Sequence, residues 1–168
     1  MTDTLAQNPF LQPFGTPHGT VPFDRIRTEH FEPAVREGIR RQLAEIDAIT
    51  ANPDEPTFVN TIEAYERSGR LLSIVSNVFG NLHSAETNDE LDRLAEKLMP
   101  LLSEHSNNIS LNPQLFERVK YVHEHTDRAS LTPEQQTLLE ETYRGFVRNG
   151  ADLQGEARDR YRALCQEL

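Results

Sequence analysis

The sequence has little of several residue types that mark particular classes of protein. Its 168 residues include one cysteine, no tryptophan and no His-Glu-x-x-His, so one common helical zinc site is excluded. Cys165 has no internal disulfide partner, and its place on a helical apolar face predicts packing rather than reactivity. The longest aliphatic stretch, residues 71–75, is too short to cross a bilayer, so we expect no transmembrane helix.

Basic residues are scarce relative to acidic ones. The chain has 17 Lys and Arg against 27 Asp and Glu, a net charge of -10. Phosphate backbones and anionic lipid surfaces would repel such a chain, so we expect neither nucleic acid nor a membrane as a partner. The first residues lack the basic and apolar regions of an export signal, which predicts a cytoplasmic protein. A periplasmic location is the alternative if a native signal has been removed.

Proline and glycine are concentrated near the beginning. Four prolines and two glycines fall within residues 9–22, a density that neither a helix nor a central strand tolerates. We therefore predict an extended, proline-rich arm over residues 1–27 that packs on the surface. Phe10, Phe14 and Phe23 are too apolar for a solvated tail, so we expect aromatic contacts to anchor the arm.

After the arm, apolar residues recur at intervals of three or four, which indicates helices. A first predicted helix runs to a proline-containing loop, and a second runs from about Ile62 to His83. Two such helices joined by a short loop predict an antiparallel hairpin. Gly38, Gly69 and Gly80 each cost about 1 kcal/mol inside a helix relative to alanine, so we expect close helix approach at one or more of them.

Three further helices have recognisable start signals. Residues 87–90, Thr-Asn-Asp-Glu, have the form of a capping box, and Asn112-Pro113 and Thr132-Pro133 each place a polar cap before a proline. Pro100 lies inside the third predicted helix. Because proline removes a backbone donor and crowds the preceding turn, we expect a kink or local break near Leu98.

The end of the chain has a different pattern. The fifth helix stops at Asn149-Gly150, a left-handed termination signal, and a sixth segment begins near Leu153. That segment has an apolar face and no cap after it, so we expect a helical lobe over residues 28–168 that is truncated in its last helix. The predicted fold is all-α, with about six helices in antiparallel hairpins after the arm.

No cluster of polar residues predicts a site. In His123-Glu124-His125 the two histidines lie about 200° apart around a helix, which indicates a solvated helix end rather than a metal site. The neighbours Glu104-His105-Ser106 cannot converge from one helix. His18 and His30 lie near turns, where histidine typically bonds to the backbone. Asn108-Ile109-Ser110 matches the glycosylation pattern no better than chance. We assign no catalytic, cofactor-binding or metal-binding residue.

Several separate blocks nevertheless occur in one order from Asn8 onward. They include TPHGTVPFDRI, TEHFEPA, PTFVNTIE and SAETNDEL, followed by blocks in residues 102–109, 131–140 and 143–151. Together they resemble the N-terminal region of the thimet-oligopeptidase family of zinc metallopeptidases, and most closely its bacterial peptidyl-dipeptidase branch. Each block alone would be a weak signal, whereas their shared order is specific.

The resemblance implies an all-helical, two-lobed parent enzyme with a deep cleft. There, zinc held by a His-Glu-x-x-His helix and a later glutamate activates water, and dipeptides leave the C-termini of short peptides. None of those zinc residues has a counterpart in this chain, so we expect an N-terminal lobe that walls the cleft, binds no zinc and is inactive alone. Its expected partners are the remainder of the polypeptide, peptide substrates in the parent enzyme, and itself when isolated. The alternative is a free-standing helical interaction module without catalytic activity.

Overall fold

The computed structural model describes residues 7–86, 88–153, 155–157 and 160–161, and these residues form helices and turns without a strand. The all-α prediction is confirmed. The α-helices are α1 Phe31–Thr50, α2 Ala64–Arg67, α3 Arg70–Ala85, α4 Asp89–Ser110, α5 Pro113–His125 and α6 Pro133–Arg148. Cys165 and most of the predicted sixth segment lie outside the described residues.

Side-chain caps start the helices where the sequence predicts them. Asn112 accepts a hydrogen bond from the Leu115 amide at 3.0 Å and begins α5. Thr132 and Gln135 form a reciprocal capping box at the start of α6, with bonds of 3.0 and 3.3 Å. Gly150, with φ of 75°, follows α6 as the left-handed stop.

The second predicted helix is not continuous. A π-helical turn, Phe58–Glu63, leads into the short α2, and the chain then breaks at Ser68 and Gly69 before α3. Gly69 has φ of 70°, a conformation that other residues rarely adopt, and a Cβ there would collide with the Gln42 side chain. The prediction of one helix from Ile62 to His83 is therefore wrong.

Helix α4 differs from expectation at Pro100. The sequence predicts a kink or a local break near Leu98, and of these the break is not present, because the helix runs without interruption across Pro100. Because Pro100 has no amide N–H, the carbonyl of Glu96, four residues earlier, lacks its helical hydrogen bond. Glu96 is exposed, so water can donate to that carbonyl instead. At the start of α4, Asn88 accepts from the amides of Glu90 and Leu91, both at 3.0 Å. Thr87, the predicted cap, lies outside the described residues.

The described chain divides into two compact units. The first comprises residues up to 44 and residues 69–102, with α1, α3 and α4 around one apolar core. In it α1 and α3 are antiparallel, because Phe31 meets Phe79 while Gly38 lies against Leu72. A Cβ at Gly38 would lie 3.0 Å from the Leu72 Cα, so close helix approach explains this glycine.

The arm contributes two of its three phenylalanines to the first unit. Phe10 is buried and lies 5.2 Å from Phe31, ring centroid to centroid, and Phe14 packs partly against the same core. Phe23 is 55% exposed, so its predicted anchoring role is wrong. The Arg25 amide closes a turn on the Pro22 carbonyl at 2.9 Å, and this turn buries Pro22 and leaves Phe23 in solvent.

The second unit comprises residues 45–68 and the described part of residues 103–168. Helices α5 and α6 are antiparallel in it, because Phe116 stacks on Phe146 while His123 stacks on Tyr143. Arg118 holds the loop before the π-helical turn through its bond to the Asn52 carbonyl at 2.9 Å. In the part of the chain that the structure describes, no helix combines the length and apolarity needed to span a bilayer.

Candidate functional site

A groove of about 800 Å³ lies in the first unit. One wall is the beginning of α1 with the turn before it, and the other is the first half of α4. Pro33 and the buried Leu94 supply apolar surface to the groove. Eight of the eleven residues that line it are charged, and they comprise four carboxylates and four cations: Glu29, Glu32, Glu37, Glu90, Arg36, Arg40, Arg93 and Lys97.

The α1 wall carries carboxylates and guanidinium groups that pair with one another. Arg36 contacts Glu32 at 2.8 Å, and Arg40 and Arg41 both contact Glu37 at 2.8 Å. These pairs follow the i,i+3 and i,i+4 spacing that places helical residues side by side. The hydrogen bonds from Arg40 and then Arg41 lower the pKa of Glu37 to about 2, so this carboxylate stays ionised throughout the neutral and mildly acidic range.

The α4 wall is different because its cations form no ion pair among the described residues. Arg93 and Lys97 are exposed and spaced i,i+4, and neither forms an ion pair with any residue that the structure describes. Leu94 lies between them in sequence and is buried. This wall thus offers two unpaired positive charges beside an apolar side chain.

Charge also changes along the groove. Helix α4 is antiparallel to α3, since a three-residue connection joins them and His83 contacts Asp92 at 2.9 Å. Because α1 is antiparallel to α3 as well, α1 and α4 run in the same direction. Glu29, Glu32 and Glu90 come first on the two walls and the cations follow, with Glu37 between Arg36 and Arg40 and paired with Arg40. The groove therefore has an acidic end and a basic end.

The predicted His123-Glu124-His125 segment does not converge on one point. The Nε2 of His123 lies 3.0 Å from Glu140 Oε2, and its ring stacks on Tyr143. The ring of His125 stacks instead on Tyr121, and its Nδ1 donates to the Tyr121 carbonyl at 2.9 Å. The two imidazoles thus serve different local contacts.

Glu140 is the centre of a small ionic network in the second unit. Besides His123 it contacts Arg144 at 2.9 Å and Arg128 at 3.6 Å. The hydrogen bond from His123, supported by both arginines, lowers the pKa of Glu140. This network joins α5, α6 and the turn between them, which is a structural role.

The other predicted candidates are also separate. His105 is buried, whereas Glu104 and Ser106 are exposed, so the trio does not assemble. Burial lowers the pKa of His105. His30 accepts the Arg27 amide at 3.0 Å, which confirms its expected bond to the backbone. His18 adopts φ of 58° in a tight turn.

The residues that the structure describes do not fit a catalytic zinc ion. Among the described residues, no three His, Cys, Asp or Glu side chains are grouped as metal ligands. A zinc site needs three such side chains converging at about 2 Å from the ion. The imidazoles of His123 and His125 are directed to different partners, and the described residues therefore support no step of zinc chemistry.

The groove was not found by sequence reasoning. The signal available was the run of oppositely charged pairs on α1 and the i,i+4 cations on α4, but each pattern alone is typical of a solvated helix face. Only the packing of α1, α3 and α4 into one unit brings the two patterns to the same cavity.

Comparison with known proteins gives a consistent set of relatives. The family model for the N-terminal domain of neurolysin and thimet oligopeptidase matches residues 34–158. The chain is similar to a dipeptidyl carboxypeptidase of Salmonella typhimurium, with 40% identity over 163 residues, which are 97% of this chain and 24% of that protein. It is 43% identical over 146 residues to the dipeptidyl carboxypeptidase of Escherichia coli, covering 87% of this chain and 21% of that protein.

A more distant relative is oligopeptidase A of Escherichia coli, which is 26% identical over 161 residues. That alignment covers 96% of this chain and 23% of the relative. The chain thus spans about a quarter of the length of these curated relatives or somewhat less.

Proposed function

The chain belongs to the family of neurolysin and thimet oligopeptidase N-terminal domains, and from this we propose that it is the N-terminal helical lobe of a longer zinc metallopeptidase. In that enzyme the lobe forms part of the substrate-cleft wall. The observation that carries the proposal is the family match over residues 34–158, supported by 40% identity to a dipeptidyl carboxypeptidase along nearly the whole chain.

The proposed reaction of the parent enzyme is the release of dipeptides from the C-termini of short peptides, in line with the names of two relatives. Zinc supplies an activated water in such chemistry. Its ligands would come from the remainder of the polypeptide, since the described residues of this chain offer no suitable set. The contribution of this chain is a helical wall: two apolar cores hold its helices in place, and the wall restricts access to unstructured peptides.

The proposed partners follow from this role. They are the remainder of the same polypeptide and, in the parent enzyme, peptide substrates. We expect the isolated chain to form small assemblies, because faces buried in the parent would be exposed, while the net charge of -10 limits growth. Sedimentation velocity over a dilution series measures this, and a strict monomer at high micromolar concentration would contradict it. We place the parent in the cytoplasm, with the periplasm as the alternative.

The experiment that tests the proposal is a zinc and peptidase assay on the folded, purified chain. Circular dichroism first establishes that the chain is helical. We expect no stoichiometric zinc after dialysis against a weak chelator, and no dipeptide released from a short peptide in added zinc, as followed by mass spectrometry. Retained zinc or dipeptide release by pure material would show that the chain carries chemistry of its own.

A further inference from the structure

The groove between α1 and α4 has the shape and chemistry of a docking site for a helix. Its lining on α1 runs from Glu32 to Arg40, which is just over two helical turns or about 12 Å. Helix-binding grooves combine an apolar floor with charged edges that fix register and orientation. Pro33 and Leu94 provide the apolar surface here, and the charged residues form the edges.

The charges indicate which helix would fit. Arg36 and Arg40 are already neutralised by Glu32 and Glu37 on their own helix. On the facing wall, Arg93 and Lys97 have no such partner within the described residues.

These two cations are separated by one helical turn, so carboxylates at i and i+4 of an opposing helix have the matching spacing. The chain as a whole repels acidic partners, whereas the groove lining is neutral overall and basic at one end. An acidic helix is thus complementary to this surface in particular.

We propose that this groove binds one amphipathic helix from the remainder of the parent polypeptide, with an apolar stripe toward Leu94 and carboxylates at i and i+4 toward Arg93 and Lys97. The inference rests on the proposed function, and the choice of occupant follows from chain length. The aligned 163 residues are 24% of the Salmonella typhimurium relative, so about three quarters of that protein has no counterpart here. The groove is a point at which that remainder is held against this unit.

The binding chemistry is tested with a probe peptide. The probe is a stapled, fluorescent helix with a leucine stripe flanked by two glutamates at i and i+4, and a second probe carries lysines in place of the glutamates. We expect the acidic probe to bind the 168-residue chain, and the Arg93→Glu/Lys97→Glu variant to bind it about tenfold more weakly. The lysine probe should bind that variant more tightly than it binds the unsubstituted chain, because its lysines then face glutamates.

A matched control changes the net charge equally elsewhere. Arg70 and Arg148 are exposed, do not line the groove and form no ion pair among the described residues, so Arg70→Glu/Arg148→Glu should leave acidic-probe binding unchanged. The inference is overturned if neither probe binds, or if the control variant weakens acidic-probe binding as much as the groove variant does. It is also overturned if the lysine probe does not bind the groove variant more tightly than the unsubstituted chain. Circular dichroism of each variant establishes that the fold is retained.

The source of the helix is tested in the full-length polypeptide. A photo-crosslinking benzoylphenylalanine at Glu90, on the groove edge, is activated and the products are mapped by mass spectrometry. We expect an intramolecular link to a helical segment outside residues 1–168 that carries carboxylates at i and i+4. A link to a second copy or to another protein would overturn the proposed source. Neither experiment measures peptidase activity, so the proposed function can fail independently.

Discussion

Removing the Phe10 side chain should destabilise the first unit far more than removing that of Phe23. Phe10 is 4% exposed and its ring lies 5.2 Å from Phe31, whereas Phe23 is 55% exposed. Buried Phe→Ala substitutions cost about 3–5 kcal/mol, and the low end applies where the surroundings can relax into the cavity. The arm is a surface segment, so we expect about 3 kcal/mol for Phe10→Ala and less than about 0.5 kcal/mol for Phe23→Ala.

The assay is equilibrium urea unfolding followed by circular dichroism at 222 nm. With a urea slope of about 2 kcal/mol per molar, the unfolding midpoint of Phe10→Ala should fall by about 1.5 M. The midpoint of Phe23→Ala should remain within error of that of the unsubstituted chain. Asn8 also donates a hydrogen bond from the arm to the His30 carbonyl at 2.8 Å. Neither substitution removes either partner, so this bond should persist in both variants. Equal midpoints for the two variants, or an unchanged midpoint for Phe10→Ala, would show that the arm is not anchored by this ring.

Three further substitutions test other contacts. Gly38→Ala should cost about 1–3 kcal/mol by overpacking against Leu72, whereas Gly80→Ala, with open space at its Cβ, should be neutral or stabilising by up to about 1 kcal/mol; thermal melts compare them. Arg118→Leu removes the donors that hold the loop carbonyls, so amide hydrogen exchange in residues 52–57 should accelerate while α6 stays protected. The folded-state pKa of Glu37, about 2, lies below its ordinary value of 4.5, so its stabilisation is present above pH 4.5 and declines toward pH 2. The melting temperature of Glu37→Gln should therefore approach that of the unsubstituted chain as the pH falls through this window. A difference in melting temperature that is constant with pH would contradict the reasoning.

Local signals in the sequence predict the helix ends well. The caps at Asn112 and Thr132 and the stop at Gly150 depend on a side chain and the backbone within a few residues, so they can be read without tertiary information. The break at Gly69 and the π-helical turn before α2 cannot be read in the same way. The apolar period continues through Gly69, and it is the left-handed backbone of the folded unit there, with φ of 70°, that favours a residue without a side chain.

The exposure of Phe23 and the groove were missed for a related reason. Apolar character predicts burial on average, but the turn at Pro22 decides which of two neighbouring residues is covered. Arg93 and Lys97 line a groove only because α1 lies beside α4. That placement depends on contacts between residues distant in sequence. That the chain has no catalytic or metal-binding residue stays a prediction, and the zinc and peptidase assays test it.

The central claim is that this chain is the helical N-terminal lobe of a longer zinc peptidase. The most direct measurement is the nucleotide sequence downstream of the codon for Leu168. We predict an open reading frame that continues for several hundred codons and encodes a His-Glu-x-x-His motif. A stop codon immediately after Leu168 would contradict the claim and would favour a free-standing helical interaction module.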